Sequence, residues 1–271
     1  GPLSNIYLRL KELRHLRILM IGDVIGKPGR DAVRALLPDL KREKAIDFVI
    51  CNGENTAGGY GITVDTAAEL LESGVDVLTS GNHIWDKKEI IPLMDEGLPL
   101  IRPANYPDAP GRGYIHMGGV TVVNLMGRVF MAPLDCPFRA ADALLEKLKE
   151  EGGSKVIIVD FHAEATSEKQ AMGWYLDGRV SGVFGTHTHV GTVDAKILPK
   201  GTAYLTDVGM TGPQDSAIGS SVETVLDRFL TALPNRLSVA DGPCILNSVL
   251  VDVDEETSKA SLIGRIDRTV N

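Results

Sequence analysis

The sequence is short of cysteine. It has three in 271 residues, Cys51, Cys136 and Cys244. They are odd in number, far apart and without the Cys-x-x-Cys spacing of a structural zinc site or redox pair, which excludes a disulfide scaffold and points to a reducing cytoplasm. Long apolar runs are missing too: none approaches the roughly 20 residues that span a bilayer, and no signal-peptide core is visible at the start. A cytoplasmic protein with no membrane partner is expected. Positive charge is outnumbered, with 28 Lys and Arg against 36 Asp and Glu and a net charge of -8. Such a surface repels phosphate polymers, which excludes non-specific binding of long nucleic acid but leaves open a small phosphate ester held by cations. Aromatics make up 5% of the chain, too few for an extended single-strand stacking platform, so Tyr60, Trp85, Tyr106 and Trp174 read as packing.

There is no internal repeat, low-complexity stretch or linker, and 44% hydrophobic content suffices for a sizeable core. One domain is expected over residues 17–271. Residues 1–16 open Gly1-Pro2 and read as an N-terminal extension, partly a protease-cleavage scar, with Ile6, Leu10 and Leu13 at helical spacing. A phosphate-binding P-loop is absent as well. Gly26-Lys27-Pro28-Gly29-Arg30 is one residue short of the required spacing and has proline where the magnesium-binding hydroxyl belongs, so it reads as a tight turn into a helix.

What the sequence does have is a series of buried strands that each end in a polar residue. The clearest is Gly185-Thr186-His187-Thr188-His189-Val190, where an apolar strand over residues 179–184 runs into two histidines. In an extended backbone residues i and i+2 share a face, so both imidazoles are expected to reach one site. Strands over 16–21, 47–51, 75–79 and 155–161 deliver Asp23, Glu54 with Asn55, Asn82 with His83, and His162. Between them we expect a helix over 31–44 broken near Pro38, and a short helix capped by Thr66 with Glu69 and closed by Ser73-Gly74. Asp86 with Glu89 should start a helix through Met94, and residues 113–125 a hairpin turning at Gly118-Gly119. Glu164 and Glu168, four apart, could both be ligands but read as the exposed first turn of a helix through Leu176. Helices over 139–151 and 221–230, strands over 193–198 and 203–206, a glycine-rich loop over 209–219 and a terminal hairpin over 245–266 complete the chain. Arg128 and Arg139 could each contact a substrate phosphate but read as surface or ion-paired residues.

Together these strand ends supply Asp23, Glu54, Asn55, Asn82, His83, His162, His187 and His189. An oxygen and nitrogen set without thiolate suits iron, manganese or zinc. It is too large for one ion, and a pair about 3.5–4 Å apart sharing a carboxylate is a standard hydrolytic phosphoryl-transfer site.

The order Gly22-Asp23, Asn52-Gly53-Glu54-Asn55, Gly81-Asn82-His83, a lone histidine, then Gly185-Thr186-His187-Thr188-His189 resembles the calcineurin-like metallophosphoesterase superfamily. The finer resemblance is to the YmdB-like 2',3'-cyclic-nucleotide 2'-phosphodiesterases. It is carried by Gly53-Glu54-Asn55, Gly81-Asn82-His83-Ile84-Trp85, Asp160-Phe161-His162-Ala163-Glu164-Ala165-Thr166-Ser167-Glu168 and Thr206-Asp207-Val208-Gly209-Met210-Thr211-Gly212-Pro213.

The resemblance implies an α/β fold, a four-layer α/β/β/α sandwich with mixed sheets flanked by helices. It implies two metal ions, iron or manganese with zinc as an option. Asp23, Asn55 and His189 would hold one, Asn82, His162 and His187 the other, and Glu54 would bridge them. His83 would be the general acid for hydrolysis of a small-molecule phosphodiester, a 2',3'-cyclic nucleotide opened to the nucleoside 3'-phosphate, with 3',5'-cyclic AMP a further candidate. A homo-oligomer is implied. The chain departs from the broad superfamily at Asp23-Val24-Ile25, where most members have Asp-x-His, at Glu54 in place of a bridging aspartate, and at Ile84 in place of an acidic residue. Two other readings are an amidohydrolase barrel, which would place its His-x-His on the first strand, and a regulatory protein that binds cyclic nucleotide or metal without turnover.

Overall fold

The computed structural model describes residues 15–270, so the segment with Ile6, Leu10 and Leu13 lies outside the described residues. In chain order the elements are strand β1 (His15–Ile21), β2 (Asp23–Val24), helix α1 (Gly26–Lys44), β3 (Phe48–Asn52), α2 (Val64–Glu72) and β4 (Val77–Thr79). A 3-10 segment (Lys88–Asp95), β5 (Tyr114–Met117), β6 (Val120–Met126), α3 (Pro137–Glu151), β7 (Val156–His162), α4 (Thr166–Leu176) and β8 (Gly182–Thr186) come next. The last third holds β9 (Lys196–Ile197), β10 (Ala203–Leu205), β11 (Met210–Pro213), α5 (Val222–Thr231), β12 (Cys244–Leu246), β13 (Ser248–Asp254), β14 (Ala260–Arg265) and β15 (Arg268–Val270).

The strands form three sheets, ordered β14-β13-β1-β3-β4, β5-β6-β7-β8-β10-β9 and β15-β12-β11-β2. The fold is α/β with mixed sheets: β1 runs parallel to β3 and antiparallel to β13, and β7 lies parallel between β6 and β8. Strand alternation sorts the apolar residues. Leu19, Ile21, Val49 and Cys51 cluster with Val33, Leu37 and Leu40 of α1 and Leu70 of α2. Their neighbours Ile18, Met20, Phe48 and Ile50 cluster with Val120, Val122, Ile158 and Phe184 of the second sheet. Val123, Val159 and Phe161 then meet Leu145 and Leu148 of α3 and Met172 and Leu176 of α4. Each such fully buried side chain contributes about 1.5–3 kcal/mol by leaving water. No helix among the described residues is long and apolar enough to cross a membrane.

Several local expectations are corrected. Helix α1 runs unbroken through Pro38. Pro38 is exposed, so the carbonyl it leaves unpaired faces water, while Val33, Leu37 and Leu40 bury on the other side and hold the helix. Pro28 sits in the first turn, where a backbone N–H has no helical partner anyway. The cap of α2 is Thr63, whose hydroxyl accepts from the Thr66 N–H at 3.2 Å, so Thr66 is the third residue of the box. Asp86 starts no α-helix; the next element is the 3-10 segment with Pro92 inside it. Glu168 is buried, with its carboxylate accepting from the N–H groups of Arg128 and Val129 at 3.0 and 3.1 Å. The loop expected over 209–219 contains β11, and the terminal hairpin is β13 with β14, whose flanks β12 and β15 pair in the third sheet. The hairpin of β5 and β6 turns at Gly118-Gly119 as expected, both glycines at positive φ.

Candidate metal centre

Side-chain atoms from three other segments converge on His162, the last residue of β7. Its Nε2 lies 2.9 Å from Glu54 Oε1, 3.0 Å from Asn82 Oδ1 and 3.1 Å from His187 Nδ1. His162 and Glu54 are buried. Glu54 comes just after β3, and its other oxygen accepts from the His83 N–H at 3.0 Å. Gly81 has to be glycine, since a Cβ there would come within 2.2 Å of the His162 ring and 2.5 Å of Glu54 Oε2. Burial alone would raise the Glu54 carboxyl and depress the His162 imidazole. Their mutual attraction outweighs it, holding Glu54 down at about 2 and lifting His162 to about 9. Burial, then the charge of His162, lowers His187 to about 3, so its imidazole is neutral and has a lone pair to give.

A second group lies beside it. Asp23 is fully buried at the start of β2, its Oδ2 accepting from the His187 N–H at 3.1 Å. Its Oδ1 is 3.8 Å from His189 Nε2, and that nitrogen is 3.2 Å from the Asn55 amide. His189 is anchored through Nδ1, which donates to the Ile218 carbonyl at 2.8 Å. Burial raises the Asp23 carboxyl, against the pull of His189 and His162.

The paired histidines are not on a strand. β8 stops at Thr186, and His187 and His189 both have positive φ, 100° and 64°. Strand alternation is therefore the wrong reason for their convergence. A left-handed turn sends His187 to one group and His189 to the other, at a cost of about 1–3 kcal/mol for each such residue.

His83 stands apart from the convergent atoms. Its Nδ1 is 2.8 Å from Asp86 Oδ2, which is the carboxylate's actual use, and its ring meets the edge of Tyr60. It lines a cavity of about 390 Å³ whose walls include Glu54, Asn55, Tyr60, His187, Thr188 and His189. All eight sequence-predicted residues thus fall in one neighbourhood, with Asp23, Asn82 and His162 behind those that face the cavity. Arg128 and Arg139 do not line it.

A model of the family described as YmdB-like protein matches residues 19–266. The chain belongs to the YmdB-like family. It is 52% identical over 256 residues to the 2',3'-cyclic-nucleotide 2'-phosphodiesterase of Bacillus subtilis, an alignment covering 93% of this chain and 96% of that protein. Among solved structures it is similar to a hypothetical protein of Thermus thermophilus, with 46% identity, a TM-score of 0.87 and coverage of 94% and 100% of the two chains. A novel phosphatase of Mycoplasma pneumoniae matches with 34% identity, a TM-score of 0.89 and coverage of 95% and 94%.

The centre of this YmdB-like chain has donor atoms grouped closely enough that they could hold a metal ion. Glu54, His162 and His187 offer ligand atoms that all lie within 4.8 Å of one another. Asp23 Oδ1 is buried without a hydrogen-bond partner among the described residues, and Glu54 Oε1 is met by His162 Nε2 alone. An orphaned buried carboxylate oxygen costs several kcal/mol unless positive charge meets it. His162 is also presented as a ligand: its Nδ1 lies 2.9 Å from Thr186 Oγ1, which donates to Asp160 Oδ1 at 2.6 Å, so the Nδ1–H is spent and Nε2 faces the cluster.

That support escapes a reading of the sequence alone. Asp160 also accepts from Asn52 Nδ2 at 3.0 Å and Thr79 Oγ1 at 2.5 Å, and burial pushes its carboxyl up to about 6 against the pull of His162. The signals for it are a lone aspartate inside the apolar strand Val156–His162 and its place at the head of the Asp160–Glu168 motif. Glu164, expected in an exposed first turn, brings its Oε2 within 3.1 Å of His187 Nε2.

Proposed function

We propose that this chain is a metal-dependent phosphodiesterase that hydrolyses 2',3'-cyclic nucleotides to nucleoside 3'-phosphates. The observation that carries the reading is the meeting of Glu54, Asn82, His162 and His187 atoms around one point at the floor of an open cavity. The substrate class is supported by the activity named for the Bacillus subtilis relative. Asn82, His162 and His187 would hold one ion, Asp23, Asn55 and His189 a second, and Glu54 would serve both. The all oxygen and nitrogen donor set favours iron or manganese, with zinc an option. When bound, such a pair supplies a hydroxide-like water at neutral pH and absorbs charge on the phosphate.

The protein's own part in the chemistry is positioning and proton transfer. Asp86 fixes the His83 ring through Nδ1, which leaves Nε2 as the atom that protonates the departing ribose 2'-oxygen. The His83 N–H on Glu54 Oε2 ties that acid to the carboxylate floor. Tyr60 packs edge-on against the same ring and limits its swing.

The same reading has a helix, sheet, sheet, helix layering over a single domain at 17–271, a cytoplasmic location and a homo-oligomer. Layering is supported by the three apolar clusters, location by the free thiols of Cys51, Cys136 and Cys244. The oligomer is supported by the exposed Leu226, Phe229, Leu230 and Leu233 in and just after α5, and light scattering tests it.

Metal analysis combined with hydrolysis of bis-p-nitrophenyl phosphate, 2',3'-cyclic AMP and 3',5'-cyclic AMP tests the function. We expect two ions per chain and conversion of 2',3'-cyclic AMP to adenosine 3'-phosphate. Two ions with no hydrolysis of any ester would make the protein a metal-binding regulator, and no uptake of metal would end the proposal.

A further inference from the structure

Lys169, next after the Asp160–Glu168 motif in the first turn of α4, and the motif Thr206-Asp207-Val208-Gly209 before β11 supply no proposed ligand. The fold brings them together under the histidine turn. Lys169 Nζ lies 2.5 Å from Asp207 Oδ2, and the two side chains are 1% and 2% exposed. The same carboxylate oxygen accepts from Thr188 Oγ1 at 2.8 Å and from the Thr188 N–H at 3.3 Å, while Oδ1 takes the Gly209 N–H at 2.8 Å. Thr188 Oγ1 in turn accepts from the Val190 N–H at 3.4 Å.

A fully buried ion pair is weak as a source of stability, because desolvation offsets most of the attraction. Its geometry accounts better for its presence here. Thr188 is the middle residue between two histidines that both hold positive φ. No regular hydrogen-bond ladder reaches it, since β8 has already ended. The Asp207 carboxylate fills that role by gripping the hydroxyl and the N–H of this one residue, and Lys169 supplies the charge that lets the carboxylate stay buried. The neighbouring Glu168 faces away to the Arg128 and Val129 N–H groups, so it does not share the task.

We propose that Lys169 and Asp207, acting through Thr188, are a positioning clamp that sets the His187–His189 turn and with it the spacing of the two halves of the metal centre. The inference rests on the proposed ligand assignment. None of the three residues is placed as a ligand or proton donor; each acts on the histidines through the backbone of the turn.

Replacing Asp207 outright would leave Lys169 buried and unpaired and could unfold the chain, so the test uses Thr188. Thr188→Val keeps the shape and removes the hydroxyl bond, and Thr188→Ser keeps the bond. Purified wild type and both variants are stripped with chelator, titrated with manganese(II) and analysed for bound metal, melting temperature, and kcat and KM on bis-p-nitrophenyl phosphate. We expect Thr188→Val to melt close to wild type, to bind manganese about 10–100-fold more weakly and to lose kcat by a similar factor with little change in KM, as for other supports behind a metal ligand. Thr188→Ser should recover most of both.

A Thr188→Val protein with wild-type manganese affinity and kcat would overturn the clamp and leave the ligand set standing. A Thr188→Ser protein as weak as the valine variant would overturn it too, since the hydroxyl bond would then not be the cause. Wild type that takes up no manganese would overturn the ligand set and the clamp with it.

Discussion

The two halves of the candidate centre are built differently. Around His162, three side-chain atoms come within 2.9–3.1 Å of one nitrogen, and a buried chain through Thr186 to Asp160 stands behind it. Around Asp23, the approaches are looser, 3.2 and 3.8 Å from His189, and the histidine is held from behind by a single loop carbonyl of Ile218. His189 and Asn55 line the cavity, whereas His162 does not. A floor position with fixed support and a wall position beside solvent should differ in affinity and exchange rate, even with donor atoms of the same kinds.

The largest effect that breaks this comparison should come from Glu54, the residue proposed to serve both halves. Glu54→Gln removes the shared charge, and hydrolysis of bis-p-nitrophenyl phosphate is expected to fall about 1,000-fold, as when a main transition-state stabiliser is lost. Metal content measured on the same sample should fall with it. His83 belongs to neither half, so His83→Ala should lower kcat by about 100-fold or more, the share of a general acid, while metal content stays as in wild type. Full activity in that variant would remove His83 from the mechanism.

Thr186→Val tests the support behind the floor position, cutting the relay between His162 and Asp160. Metal affinity should weaken by about 10–100-fold at that half alone, read as one shifted phase in a two-phase manganese titration. The mildest test uses the native protein. Under graded chelator, half of the metal should leave well before the rest, and the early loss should be the one that Asn55→Ala accelerates. Loss in a single phase would mean that the two positions are equivalent.

Much of this centre is legible in the sequence because ligands tend to collect at the ends of buried strands, and those strands announce themselves as apolar runs. Asp23, Glu54 and His162 are found that way. His187 and His189 are found for a reason that does not hold: the strand ends at Thr186, and backbone of positive φ is not encoded in an apolar pattern. Charged residues whose partners lie far away in sequence are misread for a similar cause. Glu168 looks like a surface carboxylate until the Arg128–Val129 loop is laid over it, 39 and 40 residues away. Lys169 meets Asp207 from 38 residues off, and Asp160 meets Thr79 from 81. Asp86 has the spacing of a helix cap but is held by His83 three residues earlier. At Pro38 the local rule for breaking a helix loses to burial of Val33, Leu37 and Leu40.

β1 lies between β3 and β13, and Asp23 just after it is pinned through β2 to β11. The first donor in the chain is thus braced by residues 210–213 and 248–254, which leave a ribosome after every donor has done so. A nascent polypeptide truncated after His189 would already contain all of the donors and would still lack the strands that hold Asp23 in place. On the proposed ligand assignment, the Asp23 half of the centre is therefore complete only once β13 is made.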